Sequence, residues 1–129
     1  MKILDVGQCG FDGPRMASLW QEALGAEVDC ADTSDDAVRT VQSNEYDVVL
    51  VNRVLAADGS SGLEVIARLL ELGLKTPVML VSDLPEAQDA AVQLGAVRGF
   101  GKAHLGVRST LELVSRVASD DKGTSRKER

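Results

Sequence analysis

Short runs rich in β-branched and aliphatic residues alternate five times with helix-length stretches, and this alternation constrains the fold more than any other feature. The predicted strands cover residues 2–6, 27–30, 47–51, 78–82 and 97–100. Strands separated by helices form parallel sheets that are covered on both faces. The runs 48–51 and 78–81 are continuously apolar, which is typical of central strands. The sequence therefore predicts one α/β domain.

Residues that begin or end helices mark the intervening segments. Thr33, with Asp36 three residues later, predicts a helix start, and Pro85 suits the first turn of another. Gly25 and Gly95 predict helix ends. Apolar residues at helical spacing continue to Ala118, and the polar residues after it have no apolar anchor. We predict a domain over 1–119 and a disordered tail over 120–129.

Composition and charge exclude several classes of function. The chain has 129 residues, of which 44% are hydrophobic and 26% charged, as expected for a single folded domain. Its net charge of −6 argues against nucleic-acid binding, which needs a basic face. The sequence shows neither a membrane-spanning run nor a signal peptide, so we expect no membrane partner and a cytoplasmic location.

Several motifs occur together in a specific order. The segment 46–52 reads Tyr-Asp-Val-Val-Leu-Val-Asn, Gly-Leu-Glu follows at 62–64, Thr-Pro precedes the strand at 78–82, and Gly-Phe-Gly-Lys ends at Lys102. Over residues 1–118 the chain resembles the receiver (CheY-like) domain of two-component response regulators. The resemblance implies a flavodoxin-like three-layer α/β sandwich, with five parallel strands in the order 2-1-3-4-5. It also implies that Ser82 and Lys102 keep their places in the phosphorylation pocket.

The departures from this pattern fall at the positions that carry the chemistry. Asn52 stands where the family has the phospho-accepting aspartate, and Gly7, Gln8 or Cys9 stands where it has a pair of magnesium-binding acids. The loop after Asn52 is longer than usual. Ala103 replaces the family's proline, so we predict a trans peptide after Lys102.

The fifth strand is offset by one residue relative to the family. This offset leaves Gly99 or Phe100 at the family's aromatic switch position. Conformational switching through an aromatic side chain at that position is therefore not part of the prediction.

Phosphorylation of a receiver requires a carboxylate nucleophile and a hard divalent cation. An amide at Asn52 supplies neither a charge nor a nucleophile. We therefore expect no cofactor, with magnesium binding lost, no catalytic residue and no enzymatic activity. The altered pocket is predicted to consist of Gly7, Gln8, Cys9, Asn52, Arg53, Ser82 and Lys102.

Several alternatives remain open at this point. The pocket can bind an anion or small ligand through Arg53 and Lys102, or Lys102 can pair with Asp5, Asp12 or Asp58. Those three acids can also rebuild a metal site from shifted positions. Cys9 and Cys30 are expected to be free thiols, with a redox pair as the alternative. A flavin-type redox enzyme is disfavoured, because only 3% of residues are aromatic.

The leading hypothesis is a stand-alone, degenerate receiver module in a phosphorelay pathway that acts through protein contacts and not through phosphorylation. The resemblance implies a protein partner such as a histidine kinase or a separate output protein, or a homodimer. Such partners use the surface of the fourth helix, fifth strand and fifth helix in this family. The residues predicted for this partner face are Gln88, Ala91, Val97, Arg98, Phe100 and Ala103.

Overall fold

A five-stranded parallel sheet lies between two layers of helices in the computed structural model, which describes the backbone of residues 1–127 and the side chains of residues 1–119. The strands are β1 (Lys2–Val6), β2 (Glu27–Ala31), β3 (Val48–Asn52), β4 (Val78–Val81) and β5 (Val97–Phe100). The helices are α1 (Asp12–Leu24), α2 (Ser34–Ser43), α3 (Gly62–Glu71), α4 (Pro85–Leu94) and α5 (Arg108–Lys127). The strand order is β2-β1-β3-β4-β5, so the predicted fold class is confirmed.

The predicted strand boundaries differ from the observed ones by at most one residue. β1 and β5 match, β2 extends to Ala31, β3 is displaced by one residue to end at Asn52, and β4 ends before Ser82. The continuously apolar runs form β3 and β4, which are central in the sheet. Burial of both faces of these strands accounts for their lack of polar alternation.

The helices begin and end at the capping residues that the sequence predicts. The Thr33 side chain accepts a hydrogen bond from the Asp36 backbone N–H at 3.1 Å, which satisfies one of the free donors at the start of α2. Gly25 and Gly95 end α1 and α4 with positive φ angles of 63° and 116°. Glycine adopts this left-handed conformation without the steric cost that a β-carbon imposes.

The hydrophobic core has one part on each face of the sheet. Helices α2, α3 and α4 cover one face through residues that include Val38, Ile66 and Ala91. Helices α1 and α5 cover the other face, where Trp20 is fully buried and meets Phe100 edge to face at 5.8 Å. This arrangement leaves the carboxyl ends of the strands free to form a site, as is general for open α/β sheets.

An irregularity in β5 accounts for its predicted offset. Val97 pairs with Met79 and Phe100 pairs with Val81, so β5 has one residue more than β4 between these two pairs. A β-carbon at Gly99 would overlap the backbone carbonyl oxygen of Leu80, so only glycine fits there. Phe100 consequently points into the core, and the outward aromatic position of the family pattern is held by no aromatic side chain here.

Helix α5 is longer than the apolar spacing predicts. Its backbone continues to Lys127 through most of the segment 120–129, because helical hydrogen bonding does not need apolar side chains. Residues 128 and 129 lie outside the described residues, and a domain boundary at residue 119 with a disordered tail stays a prediction. None of the helices in the described part of the chain is long and apolar enough to cross a bilayer.

Candidate functional site

Asn52 ends β3 at the carboxyl edge of the sheet and uses its amide to join two loops. Its Nδ2 donates to the carbonyl oxygen of Val54 at 2.8 Å and to that of Gly7 at 3.2 Å. These bonds hold the β1–α1 loop against the β3–α3 loop. A carboxylate at this position would face two carbonyl oxygens with no hydrogen to donate. The amide therefore has a structural role that an ionised aspartate cannot fill.

The β3–α3 loop, which is longer than in the family pattern, is held by its own hydrogen bonds. Val54 and Ser61 form an antiparallel bridge, and the Leu55 N–H donates to the Ser60 carbonyl oxygen at 2.9 Å. The Asp58 carboxylate accepts from the Ser60 hydroxyl at 2.7 Å and from its N–H at 3.0 Å. These donors lower the pKa of Asp58. The Asp58 carboxylate therefore forms its hydrogen bonds within the loop, and it does not line the cavity of Asn52.

Lys102 follows β5 and is neutralised by an acid at the start of α1. Its Nζ lies 2.7 Å from Oδ2 of Asp12, and the other carboxylate oxygen of Asp12, Oδ1, accepts a hydrogen bond from Arg15 at 3.1 Å. The hydrogen bond from Lys102 is the largest cause of a lowered pKa at Asp12. Among the three acids that the sequence offers to Lys102, the structure selects Asp12.

Four of the seven predicted pocket residues line one cavity of about 360 Å³, namely Asn52, Arg53, Ser82 and Lys102. Ser82 is buried, and its hydroxyl oxygen accepts the N–H of Leu84, just before α4. Asp83 also lines this cavity. With Lys102 paired to Asp12, the cavity holds no strong excess of positive charge.

The remaining predicted pocket residues lie elsewhere. Gly7 contributes its carbonyl oxygen to Asn52, whereas Gln8 and Cys9 line a separate cavity beside α1. The Cys9 sulfur accepts the N–H of Asp12 at 3.2 Å and so helps to begin α1. The residues at the family's acid positions therefore shape loops and a second cavity.

Asp5 is the polar residue whose environment the sequence did not indicate. It lies in β1 with only 1% of its surface exposed, and its Oδ1 accepts a hydrogen bond from Gln8 at 3.1 Å. Its Oδ2 has no partner among the described residues. Burial raises the pKa of Asp5 to about 7, although the Gln8 hydrogen bond and the charge of Lys102 act in the opposite direction. In the sequence, the only sign of this buried environment is an acidic residue within an apolar strand.

The described residues do not fit a magnesium ion. No group of three His, Cys, Asp or Glu side chains within this part of the chain is arranged to hold a metal. Asp58 is bound by Ser60, Asp12 is bound by Lys102, and Asp5 is buried in β1. Magnesium prefers carboxylates and waters in octahedral geometry, and Asn52, Gln8 and Cys9 offer amides and a thiol in their place. The hypothesis of a rebuilt metal site therefore finds no support in the geometry.

Cys9 and Cys30 both line the cavity beside α1, and both are free thiols. Burial, and then the charge of Asp5, raises the pKa of Cys30. A raised pKa disfavours the reactive thiolate. The predicted free thiols are confirmed, and the alternative of a redox pair gains no support.

The predicted partner face needs a correction at three of its six residues. Gln88 and Phe100 are 5% and 7% exposed, and Ala91 is fully buried. The Gln88 amide donates to the backbone carbonyls of Leu80 in β4 and of Ser82 just after it, and it accepts the N–H of Gly99. It therefore joins α4 to the sheet. The bulge in β5 turns Phe100 inward. Val97, Arg98 and Ala103 are exposed, as a partner face requires.

The predicted trans peptide after Lys102 is confirmed. It lies at the start of a short 3₁₀ helix, Lys102–His104. Asp83 Oδ2 accepts the N–H of Ala103 at 3.3 Å. This segment is therefore held against the loop after β4.

No family model matches the sequence, and no curated protein matches it. Solved structures with the same fold are receiver domains and proteins that contain them. NtrX from Brucella abortus is 21% identical with a TM-score of 0.84, over 98% of this chain and 29% of that chain. The chain thus spans less than a third of that protein's length.

Two smaller proteins match along nearly their whole length. A CheY-like response regulator receiver domain from Methanospirillum hungatei is 18% identical with a TM-score of 0.80, over 95% of this chain and 97% of that chain. The receiver domain of the Francisella response regulator 1452 is 17% identical with a TM-score of 0.77, over 92% and 97% of the two chains. These structural similarities show that the chain has the fold of receiver domains.

Proposed function

We propose that this chain is a degenerate, non-enzymatic receiver module of two-component signalling that acts by binding proteins and is not itself phosphorylated. The receiver fold supports the signalling class, and the engaged amide of Asn52 supports the absence of phosphoryl chemistry. The proposal includes the cytoplasmic location that was expected from the sequence. The single observation that carries the proposal is that both Asn52 amide hydrogens are bound to loop carbonyls.

The chemistry of acyl-phosphate formation explains why this observation matters. The reaction needs an ionised carboxylate as nucleophile and a cation to neutralise the phosphoryl oxygens. The amide nitrogen of Asn52 is not a nucleophile, because its lone pair is delocalised into its own carbonyl group, and both of its hydrogens are donated to loop carbonyls. Gln8 and Cys9 do not replace the missing acids. Lys102, one of the two basic residues that line the cavity, is already neutralised by Asp12.

The exposed side of α4 and β5 is the surface that we propose for the partner. β5 is an edge strand, and Val97 is 37% exposed there beside the exposed Leu94 at the end of α4. A groove of about 610 Å³ runs between α4, β5 and α5, and the exposed Arg98 of β5 is part of its lining. Apolar side chains beside an open groove are typical of protein contacts. The proposed occupant is a histidine kinase or a separate output protein, with a second copy of this chain as the alternative.

An anion sensor in the altered pocket is the competing hypothesis. It uses Arg53 and the Nζ of Lys102, and this Nζ lies 2.7 Å from Asp12. An anion that binds Lys102 must open this ion pair first, and Asp83 at the cavity edge opposes the anion. The contact hypothesis has no such cost, so we favour it.

Addition of magnesium and beryllofluoride tests the chemical half of the proposal. Beryllofluoride imitates a phosphoryl group on a carboxylate, so we expect unchanged amide chemical shifts at Asn52, Ser82 and Lys102. A saturable shift of these amides that requires both reagents would refute the proposal. A receiver with its aspartate in place serves as the positive control.

Photo-crosslinking in the native cell tests the other half. A photoreactive residue at Val97 reports on the α4–β5 surface, and one at Arg39, exposed on α2, is the matched control. We expect a discrete protein adduct at position 97 that is absent at position 39. Equal labelling at the two positions, or none at either, would contradict a partner at this surface.

A further inference from the structure

The cavity beside α1 has a volume of about 620 Å³, which falls within the range of small-molecule sites. It opens between the start of α1, the ends of β1 and β2, and the β3–α3 loop. Small side chains form much of its wall, including Pro14, Ala17, Ala31, Ala56 and Ala57. It shares no lining residue with the cavity of Asn52 and Lys102. It is therefore a separate cavity from the one that Asn52 and Lys102 line.

Two hydrogen-bond acceptors at this cavity lack donors. Asp5 and Gln8 both line it, and Asp5 Oδ2 and Gln8 Oε1 have no partner among the described residues. Buried polar atoms are normally satisfied, because an unpaired one costs about 1–3 kcal/mol. The Gln8 Nε2 donates to Asp5 Oδ1 at 3.1 Å, so the two side chains already touch.

The charges around the cavity determine which ligands it favours. Asp5 and Asp32 line it, and none of the described residues that line it is basic. An anionic ligand would be repelled, and a cation with N–H donors would satisfy the free oxygens. Both oxygens are shielded from solvent, so the half-buried Gln8 side chain has to move for a ligand to reach them.

We propose that this cavity binds a small organic cation with an amidinium or guanidinium group, which donates hydrogen bonds to Asp5 and Gln8. A planar group with several N–H donors matches two acceptors on touching side chains, and the apolar part of the ligand packs against Ala17 and the neighbouring alanines. A bound ligand contacts both the start of α1 and the β3–α3 loop. Asn52 joins the same β3–α3 loop to the loop before α1. Ligand binding at this cavity does not depend on whether the chain is phosphorylated.

Benzamidine is a suitable probe, with benzoate as a control of the same shape and opposite charge. Amide chemical shifts are followed by NMR at about pH 8, above the pKa of Asp5. We expect saturable shifts at Gln8, Ala17 and Ala57 with a dissociation constant of roughly 1 mM, as is usual for a ligand of this size. Benzoate is expected to leave these amides unchanged.

Three variants connect binding to the proposed contacts. Asp5→Asn removes the charge and is expected to weaken binding about tenfold or more. Ala17→Leu fills the cavity and keeps the charge, and it is expected to abolish binding. Glu71→Gln removes an exposed charge at the end of α3 and should leave binding unchanged. Thermal melts confirm that each variant is folded.

The following results would overturn the proposal. One is the absence of saturable shifts at the cavity up to roughly 20 mM benzamidine, well above the expected dissociation constant. Another is equal affinity of the parent chain and Asp5→Asn. A third is benzoate binding at the same amides as benzamidine.

Discussion

Replacement of the buried Asp5 by asparagine should stabilise the protein at alkaline pH and remove part of its pH dependence. Asp5 is 1% exposed, and burial raises its pKa from the ordinary 3.8 to about 7. The folded state therefore holds the Asp5 proton more tightly than the unfolded state does. Its contribution to stability is fully present below about pH 4 and is lost as the pH rises through 7.

The size of this effect follows from the gap between the two pKa values. The free energy of unfolding should fall by up to about 4 kcal/mol between pH 4 and pH 8 because of Asp5 alone. Asparagine stays neutral throughout, but its new buried N–H costs about 1–3 kcal/mol where it lacks an acceptor. We therefore expect Asp5→Asn to be more stable than the parent chain by about 1–3 kcal/mol at pH 8.

Urea denaturation at a series of pH values from about 4 to 8 provides the measurement. The informative quantity is the difference in unfolding free energy between the parent chain and Asp5→Asn, because other titrating groups cancel in it. This difference should change sign in favour of the variant as the pH rises. Glu71→Gln controls for the loss of one negative charge. A difference that does not vary with pH would refute the argument that burial perturbs Asp5.

The remaining predictions concern the side chains that hold the site together. Asn52→Asp removes both donors to loop carbonyls and should lower stability by about 2–4 kcal/mol in urea denaturation, whereas an unchanged midpoint would contradict the structural role of the amide. Gln88→Ala removes the hydrogen-bond partner of two buried carbonyls and of the half-buried Gly99 N–H, and it should lower stability by about 3–5 kcal/mol. Gln93→Ala, exposed on the same helix, is the neutral control, and equal denaturation midpoints would contradict the bridging role of Gln88. Asp12→Asn releases Lys102 and should increase phosphate affinity several-fold in calorimetry, and no increase would show that the ion pair does not limit anion binding.

Local patterns in the sequence were enough to predict the elements of the fold. The apolar runs of β3 and β4, the cap at Thr33 and the glycine at the end of α1 depend on neighbouring residues, and each is found as predicted. The strand order came from the motif resemblance and is confirmed. These features are predictable because backbone geometry and burial periodicity are local properties.

The site was harder to predict because its contacts join distant segments. Lys102 had three candidate acids, and only the packing of α1 against the ends of the strands brings Asp12 to it. Gln88 was expected to face a partner, but the extra residue in β5 presents the Gly99 N–H to it and draws it inward. Spacing alone contains no information about either arrangement. The unpaired oxygen of Asp5 likewise depends on which helices cover β1.

Intact-protein mass spectrometry after incubation with acetyl phosphate and magnesium tests the central claim most directly. The chain should remain unmodified, as should Asn52→Asp, because Gln8 and Cys9 do not supply the acids that hold magnesium. A variant that combines Asn52→Asp, Gln8→Asp and Cys9→Asp introduces carboxylates at candidate positions for the family's acids and is the comparison variant for gain of phosphorylation. Signalling through contact alone predicts no added phosphoryl group on the parent chain. Stoichiometric addition of one phosphoryl group to that chain would contradict the account.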